Sequence, residues 1–331
     1  MSDVRETRPQ EYLPGLVLLV VLAGAATLVA SALAGVNALL LGVFFGAIVA
    51  NTVGVPEWAN AGVRTRTLLL EAGIVLLGAR IAVGELVASG PMVLGLVVVT
   101  VAASIALVEV VANRAFGLTA KTSSLLAAGA SICGVSAATA IAGTIDADGE
   151  SLAHVVATVL LFDAITLAIF PVAGEMLPLT GQQFGVWAGL SMFSTGPVTA
   201  AGFAHSDVAG QWATVTKLAR NSMLGAVALW YAVRYADSES TGMKAILEGI
   251  PGFLVGFLFV AVLANVGVFS QGALAAIDTG SDALFALAFV GLGLDIRLGA
   301  MRETGIKPAF VLAVQLLTIS VVTLGAVLLL V

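Results

Sequence analysis

The sequence predicts an all-α membrane protein of about eleven spanning helices, and three observations carry that prediction. Of 331 residues, 60% are hydrophobic and only 10% are charged, with a mean hydropathy of +1.09. The charged residues fall mostly in short gaps between apolar runs of membrane-crossing length. The basic residues outside those runs all fall in alternate gaps. A soluble chain carries roughly a quarter charged residues and has no interior large enough for this much apolar surface.

The polar stretch from Met1 to Tyr12 carries Arg5 and Arg8 and reads as a cytoplasmic N-terminal tail. The run from Leu13 to Leu33 exceeds a signal-peptide core of roughly 7 to 15 residues and reads as a retained first helix. Spans of about 20 apolar residues are expected at 13–33, 37–53, 66–87, 91–113, 122–145, 151–173, 183–203, 211–233, 246–268, 279–296 and 308–331. Residues 13–331 thus read as one polytopic transmembrane transporter domain. With the N-terminus inside, the cytoplasmic segments hold Arg5, Arg8, Arg64, Arg66, Arg114, Lys121, Arg234, Lys244, Arg297, Arg302 and Lys307, and the opposite gaps hold no Lys or Arg. That is the positive-inside pattern, and it places the C-terminus outside. Arg80, Lys217 and Arg220 remain, all within expected spans. Cys133 is the single cysteine, which excludes an intrachain disulfide. The net charge of −6 leaves no basic footprint for nucleic acid.

Two internal echoes suggest repeats. Ala128-Gly-Ala-Ser131-Ile-Cys-Gly-Val-Ser-Ala-Ala-Thr139-Ala aligns without gaps on Ala188-Gly-Leu-Ser191-Met-Phe-Ser-Thr-Gly-Pro-Val-Thr199-Ala, and a Leu-Thr pair precedes each. Gly78-Ala-Arg80-Ile-Ala-Val-Gly84 echoes Gly293-Leu-Asp295-Ile-Arg-Leu-Gly299. The second pair lies seven spans apart and runs in opposite directions, as an inverted repeat requires. The first lies two spans apart and runs the same way, so one scheme does not hold both.

The segment Gly129-Ala-Ser131-Ile-Cys133-Gly134-Val-Ser136 crowds hydroxyls, a thiol and glycines into the middle of the fifth span. Such a segment serves either close helix packing or an unwound helix whose free N–H ends favour an anion. The matching Ser191, Ser194, Thr195 and Thr199 segment contains Pro197, which removes an N–H and restricts its neighbour, and this favours two broken helices forming a paired site. In Lys217-Leu-Ala-Arg220-Asn221 the polar side chains share one helical face; two cations within a span are costly in lipid, so they are expected to face a polar interior. Asp163, at the centre of the sixth span, is a candidate coupling group or counter-ion for Arg220 or Arg80. Glu85, Glu109, Asp295 and His154 lie nearer span ends. Paired-His, phosphate-loop and G-x-S-x-G signatures are missing, so neither catalysis nor a cofactor or metal is expected.

Gly73-Ile-Val-Leu-Leu-Gly78-Ala-Arg80-Ile, Ser131-Ile-Cys133-Gly134-Val-Ser136-Ala, Lys217-Leu-Ala-Arg220-Asn221, Gly291-Leu-Gly293-Leu-Asp295 and Gly305-Ile-Lys307-Pro308 together resemble the YeiH-type sulfate exporter family of membrane proteins. The resemblance covers most of the chain. It implies a membrane transporter related in fold to the bile-acid/sodium symporter and cation/proton antiporter group, in which two broken helices cross near the membrane centre. One departure stands out: where similar proteins often read A-G-x-S-I-H-D-x-A-Q-V, Phe193 and Ser194 replace the His-Asp pair and Pro197 the Gln.

The expected function is alternating-access secondary transport of a small anion, sulfate- or sulfonate-like. The site would comprise Ser131, Cys133, Gly134, Ser136, Ser191, Ser194, Thr195, Thr199, Lys217, Arg220 and Asn221, with Asp163 and Arg80 as coupling or ion-pair residues. Partners are then a small inorganic or organic anion, Na+ or H+ as coupling ion, and the lipid bilayer, with homo-oligomerisation left open. The alternatives are a sodium- or proton-coupled cation antiporter using Asp163 and a non-transporting scaffold or sensor.

Overall fold

The computed structural model describes residues 9–32, 37–80, 83–235, 252–297, 299 and 305–331. Residues 1–8 of the expected tail and 246–251 of the expected ninth span lie outside the described residues. The chain is all-helical there and divides into two compact units, Met1–Arg80 with Phe257–Leu298, and Ile81–Gly256 with Gly299–Val331. Among the described residues five helices are long and apolar enough to cross a membrane by themselves. Side chains such as Leu28, Val99, Leu317 and Val321 are exposed, while Ser131, Lys217 and Arg220 are buried. That inside-out polarity suits lipid as the solvent.

The first unit contains α1 (Pro9–Ala32), α2 (Ala38–Thr52), α3 (Asn60–Arg64) and α4 (Arg66–Leu77), the last ending in a tight turn at Gly78–Arg80. Its long partner is α14 (Gln271–Asp295). Gly42 and Gly46, four residues apart on α2, meet Val290 and Gly293, where a side chain on Gly46 or Gly293 would collide with the facing backbone. Small residues let two backbones approach closely, which substitutes in lipid for the missing hydrophobic drive. Helices α4 and α14 run antiparallel: Arg66 pairs with Asp295 at one end, Ser281 donates to Gly73 O midway, and Arg80 pairs with Asp278 and Asp282 at the other. Asp278 and Asp282 are one turn apart on α14. The expected start at 279 is therefore too late, because these carboxylates lie on the helix and its polar end is used for ion pairing.

The second unit begins with α5 (Val83–Val110), which continues as a π-helical turn to Ala115 and carries Pro91 inside it. The expected boundary at 88–90 is thus also misplaced, since a membrane helix tolerates an interior proline when its neighbours satisfy the freed carbonyl. Next come α6 (Ala120–Ser131), α7 (Val135–Thr144), α8 (Gly149–Met176), α9 (Gly181–Ser191), α10 (Thr195–His205), α11 (Asp207–Asn221) and α12 (Leu224–Tyr235). Later in the chain are α13 (Gly252–Asn265), which from Phe257 on belongs to the first unit, and α15 (Ile306–Leu330). The expected eighth span, 211–233, is two helices joined by a turn at 222–223.

The expected fifth and seventh spans, 122–145 and 183–203, are each broken into two short helices. Lys121 at the start of α6 donates to Asp146 O just beyond α7, and Thr122 donates to Ser151 at the start of α8. Helices α6 and α7 therefore fold back on each other as a hairpin. Likewise Gly181 at the start of α9 packs on Ser206 after α10, and Phe184 stacks on His205 with ring centroids 4.3 Å apart. Each arm of 10 to 12 residues is roughly 15–18 Å long, about half the hydrocarbon thickness. Along the single crossing helix α8, Val159 meets the tip of the first hairpin and Asp163 the tip of the second. Phe170 and Gly174 lie against the base-side residues Trp187 and Phe184. The hairpins thus enter from opposite ends of α8 and meet at its middle.

One consequence is directly testable. Residues 145–150 lie at the same end of α8 as Lys121, and 177–180 lie at the opposite end. In a Cys133→Ser background, a membrane-impermeant maleimide is expected to label Asp148→Cys and Gly117→Cys from one face and Thr180→Cys from the other. Labelling of Asp148→Cys and Gly117→Cys from opposite faces would restore a spanning helix.

Candidate functional site

The candidate site lies where the two tips touch, and the sequence explains both breaks. Gly134 has φ of +70°, in the left-handed region that glycine enters without a Cβ penalty. Its N–H turns back to Gly129 O at 2.9 Å, closing α6. In the second tip Met192 and Ser194 are extended, and Pro197 stands in the first turn of α10, where the missing N–H has no helical partner to lose. Gly134 and Ser194 are the aligned positions of the sequence echo and the N-cap residues of α7 and α10. They are in contact: a Cβ on Gly134 would fall within the radius of Ser194 Oγ.

The C-terminal ends of α6 and α9 carry carbonyl groups without helical partners and the negative end of each helix dipole. Arg220, fully buried, answers both. Its Nε and Nη2 donate to Ser131 O at 3.1 Å and Ala130 O at 3.0 Å, while Nη1 lies 2.8–2.9 Å from Gly189, Leu190 and Met192 O. A planar guanidinium with donors in a fixed fork suits this task. Lys217, one turn earlier and also fully buried, donates to Met192 O at 3.2 Å and to Phe193 O. The two cations therefore serve the carbonyl ends of the hairpins, and every hydrogen bond they make here goes to backbone.

The opposite ends of the tips are treated differently. Side chains of Thr119, Asp148, Thr180 and Ser206 cap α6, α8, α9 and α11. Neither Gly134 nor Ser194 makes a side-chain cap; the Ala137 N–H reaches Cys133, and the other first-turn N–H groups of α7 and α10 have no helical partner. Asp163, 5% exposed, accepts from the Ser194 N–H at 3.1 Å. Asn221 Nδ2 donates to the Thr195 hydroxyl at 3.1 Å. Cys133, Ser194 and Thr195 are partly exposed here, and Ser136 is exposed.

The expected site residues separate into two groups. Cys133, Gly134, Ser136, Ser194, Thr195, Asn221 and Asp163 gather at the tips, backed by Lys217 and Arg220. Ser131, Ser191 and Thr199 are fully buried pegs between helices, paired with Ser104, Thr323 and Thr214. Arg80 belongs to the first unit, where Asp278 and Asp282 hold it. Of the other ionisable residues, Glu109 receives Arg234 and Tyr231, Asp295 pairs with Arg66, and His154 bonds to Glu150 O. Sequence reasoning missed Ser104 and Gln315, which form a buried chain to Ser131. A glutamine inside an otherwise apolar final span was the available signal. Among the described residues no group of three or more His, Cys, Asp or Glu could hold a metal.

Comparison with known proteins places this arrangement in a family. Residues 14–312 match the family model described as conserved hypothetical protein 698. The chain is 33% identical to a UPF0324 membrane protein of Nitratidesulfovibrio vulgaris over 315 residues, covering 90% of this chain and 87% of the relative. It is 30% identical to the UPF0324 inner membrane protein YeiH of Salmonella typhi, covering 90% and 88%, and 29% identical to that of Escherichia coli K12, with the same coverage. No solved structure gives a significant match. With its membrane-length apolar helices, the chain is a multi-pass plasma-membrane protein and belongs to the UPF0324/YeiH family.

Proposed function

We propose that the protein is a secondary transporter of a small anion, sulfate- or sulfonate-like, which binds at the meeting point of the hairpin tips and crosses by alternating access. The observation that carries this reading is the division of labour at the tips. Arg220 and Lys217 occupy the carbonyl ends of α6 and α9, while the uncapped N-termini of α7 and α10 face each other with Ser136, Ser194 and Thr195 beside them. Open N–H ends and hydroxyls bind oxyanions, and half-helices meeting at mid-depth are a recurrent way of building a transporter site. The hairpin units α6–α8 and α9–α12 then form an inverted repeat about that point. The positive-inside pattern puts the N-terminal tail, residues 1–12, in the cytoplasm and the first hairpin on the cytoplasmic side, with residues 13–331 as one transport domain.

A second reading rests on Asp163, a buried carboxylate at the tip, as the ligand of Na+ or H+ in a cation antiporter. Thermal unfolding of the purified protein in detergent separates the two, because a ligand selective for the folded state raises its stability. Sulfate, sulfite or a small sulfonate is expected to raise the melting temperature, with the effect reduced in Ser136→Ala, whose exposed side chain contributes no packing. The same oxyanion is expected to exchange across proteoliposomes. Stabilisation by sodium alone, lost in Asp163→Asn, would select the antiporter.

A further inference from the structure

Asn221 is 3% exposed, and its Nδ2 reaches Thr195 in the first turn of α10, yet its Oδ1 has no hydrogen-bond partner. A buried carbonyl oxygen left unpaired costs free energy until a donor arrives. This acceptor stands at the N-terminus of an 11-residue helix, among N–H groups that favour an anion. A second observation concerns charge. Among the described residues the buried ionisable side chains are Lys217, Arg220 and Asp163, two basic groups to one carboxylate, a balance that favours an anion of low charge at this depth over a dianion.

We infer that the site selects a small monoanion that also carries a hydroxyl donor, its anionic group at the α7 and α10 N-termini and its hydroxyl on Asn221 Oδ1. A hydroxyalkanesulfonate or hydrogen sulfite has this chemistry; sulfate is a dianion without a donor. The inference rests on the anion-transport reading and narrows it to a substrate class.

A matched pair tests it. Ethanesulfonate and 2-hydroxyethanesulfonate share the same charge and carbon chain and differ by one hydroxyl group. A site with a waiting acceptor rejects the analogue that leaves it unpaired. Calorimetric titration of the full chain in detergent is expected to show 2-hydroxyethanesulfonate binding about tenfold or more tighter than ethanesulfonate, and tighter than sulfate. Asn221→Leu is expected to bring the two sulfonates within about threefold by removing the acceptor. The wild-type comparison stands without the variant, whose folding is checked by its ligand-free melting temperature. Equal binding of the two sulfonates, or tightest binding of sulfate, would overturn the selectivity while leaving the anion site intact. No binding by any of the three would remove the anion site itself.

Discussion

Arg220→Ala is expected to lose both the site and much of the stability of the second unit. The guanidinium joins carbonyl ends of two hairpins that enter from opposite sides. Its removal leaves Ala130, Ser131, Gly189, Leu190 and Met192 carbonyls without their donor in a buried core. Hydrogen bonds to charged groups are worth about 1.5–3 kcal/mol net, and each buried group left unsatisfied costs about 1–3 kcal/mol. A total loss above about 3 kcal/mol follows, which corresponds to a fall of roughly 5 °C or more in melting temperature for a unit of this size. Arg220→Lys is expected to recover little, because three donors on a point charge cannot reach two helix ends in the geometry of the fork. Lys217→Met, which removes contacts to one tip only, is expected to cost less. If Arg220→Lys melts and binds like wild type, charge alone suffices and the two-ended clip has no role.

This role for Arg220 was only half legible in the sequence. Two cations one turn apart in an apolar span announce a polar interior, and Gly134 and Pro197 mark places where helices break. The ligands of Arg220 are backbone carbonyls, however, and no side chain near residues 130 or 190 announces them. The hairpins were hidden for a different reason. Two arms of 10 to 12 residues and a tight tip make an apolar run of the same length as a spanning helix, and hydropathy does not distinguish them. Loop charge did not help either. Folding back both hairpins moves residues 145–150 and 177–180 to the other face and returns every later loop to its original side. Neither loop contains Lys or Arg, so the positive-inside pattern is identical for both topologies. The proposed topology would also remove the mismatch between the two sequence echoes: with only α8 crossing between the hairpins, the segments at 128–140 and 188–200 would be inverted, like the antiparallel pair around Arg80 and Asp295.

Gly134→Ala is expected to abolish ligand binding while leaving the hairpin bases folded. An added Cβ meets two obstacles. Gly134 lies at φ of +70° and ψ of −129°, a region where a side chain costs about 1–3 kcal/mol, and the new methyl overlaps Ser194 Oγ and presses on Ser194 Cβ. Since the Ser194 N–H also donates to Asp163, displacing it moves the carboxylate and the first turn of α10 together. The steric part is separable from the backbone part. Ser194→Gly removes the two nearest atoms that the methyl meets and leaves Val159 Cγ1 at 3.3 Å, so the double substitution is expected to regain stability relative to Gly134→Ala alone, by more than independent effects allow. It is not expected to regain full affinity, because the Ser194 hydroxyl is itself part of the proposed site. Measured melting temperatures for the two single variants and the double variant give the coupling. A coupling near zero would mean that the tips do not press on each other at Gly134 and Ser194. Wild-type affinity in Gly134→Ala would place the ligand away from the tips altogether.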